Sequence, residues 1–220
     1  HFYALLASDR SGGERRVALC VFDDVVEHGG AAGLAWIPRV LPALCAYATD
    51  EDPDVRQAAT YGVGASAEVC ALNGAEASAA FMAAGGAKAA LALEAVITAP
   101  TSREEGSEMA TDNAVCALAK VLEMQAGCVG GDVVASRLTS VWLSYLPLRA
   151  DVAEARVVHA ALVRACERGD ERVFGGATYA GLPRVLAVLA DVIGTELLDD
   201  EYSGRAVTVI DAPGIIAAGT

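Results

Sequence analysis

Apolar residues recur along the chain at helical spacing in segments of about 12 to 20 residues, separated by short stretches of Gly, Pro, Asp or Ser. The first clear segment is 14–28, ERRVALCVFDDVVEH, which Gly29 and Gly30 close as helix stop signals. A second helix is expected at 34–48, with Pro38 and Pro42 kinking or fraying its first turns. At 49–59 the run TDEDPDVRQAA supplies Asp52 as an N-cap and Pro53 at the first helical position, so a helix starts there and runs to about Cys70. Asp54 in its first turn complements the helix dipole, and Arg56 can bond back across the turn.

Beyond a less regular stretch at 71–84, helices are expected at about 85–98, 110–126, 133–147, 151–168, 178–194 and 200–210. The polar segment 101–108 reads as a loop; Thr111 or Asp112 can cap the helix after it, and Gly127, Gly130 and Gly131 end that helix. The helices come in pairs, whose second members fall at about 14–28, 53–70, 110–126, 151–168 and 200–210. Their starts are about 39 to 57 residues apart, against about 40–47 for HEAT and armadillo repeats. The longest step is explained if 71–84 is an inserted loop or extra turn. The predicted fold class is therefore all-α, an α-solenoid of about five HEAT-type helical hairpins, with residues 1–220 as a single array. Such hairpins bury their apolar faces by stacking, which leaves extended surfaces for partners rather than one enclosed pocket.

Composition sharpens this. Hydrophobic residues make up 54% of the chain and aromatics only 5%, a profile suited to closely stacked helices with small contact residues. Sixteen Lys and Arg stand against 29 Asp and Glu, a formal charge of -13, which repels a nucleic-acid backbone and favours a basic partner. The same acidity also suits a surface that merely keeps a protein soluble. Six cysteines (Cys20, Cys45, Cys70, Cys116, Cys128 and Cys166) lie far apart without CxxC pairs or a nearby His, so no metal site is expected and a reducing compartment fits best. No uninterrupted apolar run reaches the roughly 18 residues of a membrane span, so membrane insertion is not expected. The chain opens on His1 without Met and reads as a fragment of a longer polypeptide.

The stretches RRVALCVFDDVVE (15–27), LPALCAYATDEDPDVRQAATYGVG (41–64), ATDNAVCALAKVLE (110–123), VWLSYLPLRADVAEA (141–155) and, more faintly, LPRVLAVLADV (182–192) resemble, in order, the C-terminal HEAT repeats of importin-β (karyopherin-β) nuclear transport receptors, in particular the importin beta three branch. VRQAA is a general HEAT signature, whereas WLSYLPL followed by Arg149, Ala150 and Asp151 is more specific. The Ala- and Gly-rich 71–90 and the tail IDAPGIIAAGT (210–220) depart from that pattern. The resemblance implies a nuclear import receptor that carries basic cargo such as ribosomal proteins or histones, binds Phe-Gly nucleoporins, and releases cargo to Ran-GTP. It further implies shuttling between cytoplasm and nucleus, with second helices lining the inner surface of the array. A monomer is expected. A general HEAT scaffold for complex assembly, without Ran dependence, is the alternative.

Candidate residues follow from helical spacing. Asp23 and Glu27 share a face four residues apart, with Asp24 beside them, and like charges so placed call for a nearby cation. Arg15 and Arg16 can screen them internally, and a solvated helix face is the plainer reading. Glu68, Asp112, Asn113, Glu123, Glu154 and Glu167 extend an acidic stripe if their helices stack in register, with Asn113 able to bond an extended cargo backbone. Trp36 and Trp142, on first helices, are either Phe-Gly pocket walls or packing between repeats. His1, His28 and His159 have no nucleophile partner, and neither GxxxxGK[ST] nor HExxH occurs, so neither catalysis nor a cofactor is expected.

Overall fold

The computed structural model describes residues 2–7 and 9–211; His1 and residues 212–220 of the divergent tail lie outside the described residues. Among the described residues the regular structure is helical: α1 (Gly12–His28), α2 (Gly30–Leu34), α3 (Ile37–Tyr47), α4 (Pro53–Leu72), α5 (Ala75–Ile97), α6 (Glu108–Met124), α7 (Asp132–Tyr145), α8 (Val152–Glu167), α9 (Glu171–Phe174), α10 (Leu182–Val192) and α11 (Asp200–Ile210). The fold is all-α and built of helical hairpins. It divides into two compact units, residues 1–131 and 132–220.

In the first unit α1, α4 and α6 lie side by side in one layer, and α3 and α5 form the other, joined as the hairpins α3–α4 and α5–α6. Local sequence sets the starts. Ser11 and Glu14 close a reciprocal capping box at α1, and the Asp52 side chain accepts the Asp54 N–H at α4, where Pro53 takes the first position. Arg56 turns back to donate to the carbonyls of Asp50 and Glu51, at 2.8 and 3.0 Å. Arg15, nearly buried, bonds Asp50 at 2.9 Å and so ties α1 to the α3–α4 turn.

α4 is the centre of this unit because it is made of small residues on two opposite faces. Ala58, Ala59, Gly62, Val63, Gly64, Ala65, Ser66 and Ala67 are all buried, which lets α1 close on one side and α6 on the other. A Cβ at Gly64 would stand 3.1 Å from the Ala117 Cα and Cβ of α6, tighter than ordinary contact, so glycine lets the two helices approach without a shift of either. Thr60 donates to the Ala110 carbonyl at 3.3 Å and Gln125 to the Ala67 carbonyl at 2.9 Å, fixing the register of α6.

Three local expectations are corrected here. Residues 71–84 are not an inserted loop: α4 runs on to Leu72 and α5 begins at Ala75, continuing to Ile97 through a kink at Gly85 (φ 119°). The Ala-rich composition that hid a periodic apolar face is itself helix-forming. Thr111 and Asp112 do not cap α6; the helix begins one turn earlier at Glu108 and both are buried within it. α5 is also long and apolar enough, by length and composition alone, to cross a membrane, with mean hydropathy 1.5 over its most apolar window. It packs instead as a core helix, burying Phe81, Ala89, Ala90, Leu93, Val96 and Ile97 beside α3, α4 and α6.

In the second unit α8 and α11 lie side by side, with α7 and α10 in contact and the short α9 packed against both. Asp151 caps α8 by accepting the N–H groups of Ala153 and Glu154. The helix expected from 178 begins at Leu182, because Gly175, Gly176 and Tyr179 all take positive φ and fold the chain back on itself first. His159, fully buried on α8, joins two loops: its Nε2 accepts the Leu148 N–H at 3.2 Å and its Nδ1 donates to the Leu197 carbonyl at 2.8 Å. Arg184 ties down the end of α7 by donating to the carbonyls of Leu143, Ser144 and Leu146.

Candidate functional site

The helical spacing of α1 puts Arg16, Cys20, Asp23, Asp24 and Glu27 along one side, and α4 answers with Asp54, Gln57, Ala58 and Tyr61 at i, i+3, i+4 and i+7. Asn113 of α6 completes the lining. Arg16, Cys20, Asp23, Asp24, Asp54, Gln57, Ala58, Tyr61 and Asn113 enclose an open cleft of about 270 Å³.

Asp23 lies deepest, only 4% exposed, and its Oδ1 has no hydrogen-bond partner. Gly62 of α4 makes room for it: a Cβ there would fall 2.0 Å from that oxygen and 2.7 Å from Leu44 of α3. Burial, with smaller contributions from the Asp24 and Glu27 carboxylates, pushes the Asp23 carboxyl up to about 8. Asp24 and Asp54 are exposed at the mouth. Among the described residues no Lys or Arg forms an ion pair with Asp23, Asp24 or Asp54, and Arg16 is not among the charges that act on Asp23. Glu27 is exposed beside the cleft and accepts the Tyr61 hydroxyl at 2.8 Å.

Of the residues expected to form an acidic stripe, the structure thus brings Asp23, Asp24 and Asn113 into one cleft, with Glu27 adjacent. The others are placed differently. Glu68 is half-buried and paired with Lys120 of α6 at 2.7 Å, so its charge is neutralised within the unit. Asp112 is buried in α6 and Glu123 half-buried near its end. Asn113 spends one amide donor on the Met109 carbonyl at 2.9 Å. Glu154 is half-buried on α8, and Glu167 is taken by Arg205 at 2.5 Å, both in the second unit. Asp54 and Tyr61 were missed as site residues, although their spacing from Gln57 and Ala58 already marked one face of α4.

Trp36 is 38% exposed, with the Arg39 guanidinium 5.7 Å over its ring, and so remains open to contact. Trp142 is 3% exposed with its indole nitrogen buried, which makes it core packing and removes it from any open surface pocket. Cys70, Cys116, Cys128 and Cys166 are buried and form no disulfide; burial raises Cys70 and Cys128 to about 11 and Cys166 to about 12, so these three act as small apolar residues.

Residues 40–70 match the HEAT repeat. The matched stretch is the α3–α4 hairpin, whose second helix forms one wall of the cleft. Over 136 residues the chain is 25% identical to a protein of Dictyostelium discoideum named "Probable importin-5 homolog", an alignment covering 60% of this chain and 12% of that protein. The chain is thus an all-α helical-repeat fold with one stretch that matches the HEAT repeat and a partial similarity to an importin, and the matched region is a small part of that relative's length.

Proposed function

We propose that this chain is a segment of an importin-β-type nuclear transport receptor, of the importin beta three branch, that binds basic protein cargo on the α1–α4–α6 face. Supporting this reading is one observation above all: three aspartates from two helices converge on a cleft where, among the described residues, no Lys or Arg forms an ion pair with them. Carboxylates left without a cation stabilise a complex with Lys or Arg from elsewhere. The formal charge of -13 draws such partners in, and affinity falls as salt screens the field. In the full receptor, release of cargo is coupled to Ran-GTP, Phe-Gly nucleoporins bind where Trp36 is exposed, and the protein shuttles between cytoplasm and nucleus.

The decisive test has two arms. Asp24→Lys and Asp54→Lys change exposed residues, so the fold is retained; together they are expected to weaken binding of a basic cargo protein at least about tenfold in low salt. The full-length receptor should lose that cargo with Ran-GTP and keep it with Ran-GDP. Unchanged cargo binding by the double variant sinks the acidic-face assignment. Equal retention with either nucleotide favours instead a general HEAT scaffold for complex assembly.

A further inference from the structure

The buried, unpartnered Oδ1 of Asp23 is an uncommon arrangement, because a carboxyl removed from water normally recovers its hydrogen bonds inside the fold. α1 does not bury Asp23 by accident of packing. Any side chain at position 62 would collide with it, so the glycine of α4 holds open the space that the carboxyl occupies. The carboxyl also lines the cleft, with Asp24 and Asp54 at the mouth, Tyr61 and Gln57 on one wall, and Asn113 on the other.

We propose that this cleft is a pocket for a single lysine side chain of a bound protein, its ammonium seated on Asp23, and that filling it expels a proton from Asp23. The inference rests on the reading of this face as a docking surface for basic proteins and adds both a specific subsite and its regulation. Asp23 is the one deep acidic group of the cleft: its Oδ1 is sealed against Gly62, which leaves Oδ2 as the single deep acceptor, with the remaining carboxylates at the mouth. That suits a compact ammonium, whereas a guanidinium fork needs two parallel acceptors at equal depth. Tyr61 supplies an aromatic ring at the wall for the lysine stem.

Proton release follows from the electrostatics of the empty pocket. Burial and the Asp24 and Glu27 carboxylates keep Asp23 protonated at neutral pH, with its midpoint at about 8. On binding, the ammonium keeps its own protons, Asp23 ionises against it, and the carboxyl proton passes to solvent. Other groups facing Asp23 leave this balance in place. On α1 these are Arg16, Cys20, Asp24 and Glu27; the Cys20 thiol is itself raised by burial and by Asp23. On α4 they are Asp54 and Tyr61, on α6 Asn113, and on α3 the apolar Leu44, while Arg39 of α3 stacks on Trp36. Below about pH 8, affinity therefore rises with pH by up to about tenfold per unit, and above it the dependence flattens.

The test is calorimetric titration of the 220-residue chain with an acetylated, amidated pentalysine peptide, in phosphate and in Tris, from pH 6 to pH 9. Comparing the two buffers counts protons released. The wild-type chain is expected to release nearly one proton per peptide at pH 6.5 and few at pH 9, and Asp23→Asn to release none while showing no pH dependence. Binding without proton release in the wild type, or the same release in Asp23→Asn, overturns the proposal. Should Asp23→Asn fail to fold, the wild-type affinity profile decides: a slope that ends near pH 8 supports the pocket, and a flat profile refutes it. Binding that Asp24→Lys weakens but that carries no proton exchange refutes the lysine pocket and leaves the acidic docking face standing. No binding at all refutes both.

Discussion

Where α1 meets α4, the contact is made by small residues, Ala58 and Gly62, and the carboxyl pressed into it, Asp23, has no cation. Where α8 meets α11, the contact is polar: Arg205 forks onto Glu167 at 2.8 and 2.5 Å, and Arg164 bonds the Tyr202 hydroxyl at 3.2 Å. Both are contacts between neighbouring second helices of hairpins, yet they leave opposite residues behind. Glu167 is consumed inside its unit, and the Arg205 partner holds its carboxyl below the ordinary range. Asp23, Asp24 and Asp54 form no ion pair among the described residues, although Arg16 lines the same cleft. The carboxylates of an acidic chain are therefore not equivalent; what separates them is whether an arginine of the chain bonds them directly.

The comparison can be broken most forcefully in the second unit. His159 makes two buried backbone hydrogen bonds between loops, so His159→Ala orphans the Leu148 N–H and the Leu197 carbonyl and opens a cavity. A loss of about 2–5 kcal/mol is expected by denaturant unfolding. In the first unit the corresponding break is Gly64→Val, which forces α4 from the Ala117 backbone of α6 and is expected to cost about 1–3 kcal/mol. If Gly64→Val proves neutral, the account of α4 as a small-residue spacer between two helices is wrong.

Titration sharpens the contrast, because the two buried groups carry opposite signs. Burial lowers His159, chiefly by desolvation, so the unfolded chain takes up its proton first as pH falls below about 6.5, and the second unit loses stability toward acid. Asp23 is raised to about 8 from an ordinary value of 3.8, so the folded state holds a proton that the unfolded state has released. Its contribution is fully present below the ordinary value and is lost as pH rises toward 8. Asp23→Asn is therefore expected to stabilise the chain more at pH 9 than at pH 5, measured by melting temperature at both. A variant equally stable at the two pH values relative to wild type would place the Asp23 carboxyl in water rather than in the α1–α4 contact.

Much of this architecture was readable from spacing alone. Helices expected near 53–70 and 200–210 lie at Pro53–Leu72 and Asp200–Ile210; at the first, the Asp52 cap and Pro53 act within a few residues and need no tertiary information. α5 was not readable over 71–84, since Ala and Gly carry little periodic contrast and the burial of Phe81 and Gly86 is settled by neighbours distant in sequence. For the site, shared-face spacing joined Asp23 and Glu27, with Asp24 beside them, but could not tell a charge that is answered from one that is not. Glu68 and Glu167 lost their place to Lys120 and Arg205, partners 38 residues or more away for Glu167 and on another helix for both. Gly62 gave no signal by itself; its role exists only against Asp23 across the helix contact.

The smallest effect is expected at the most conspicuous ion pair. Arg205→Ala removes the fork to Glu167, the bond to Glu201 and the stacking 4.4 Å over Tyr202, but the Arg205 and Glu167 side chains are 35% and 33% exposed, so water and salt already screen much of the attraction. The melting temperature should drop by a few degrees at most, and the drop should shrink in high salt. The functional readout is more informative: with Arg205 gone, Glu167 loses its hydrogen-bonded partner and keeps only the weaker fields of Arg164 and Arg168, and pentalysine binding should gain a small salt-sensitive component in the second unit without any added proton release. A gain accompanied by proton release would mean that exposure, rather than the depth at which Gly62 holds Asp23, is enough to couple cation capture to a proton.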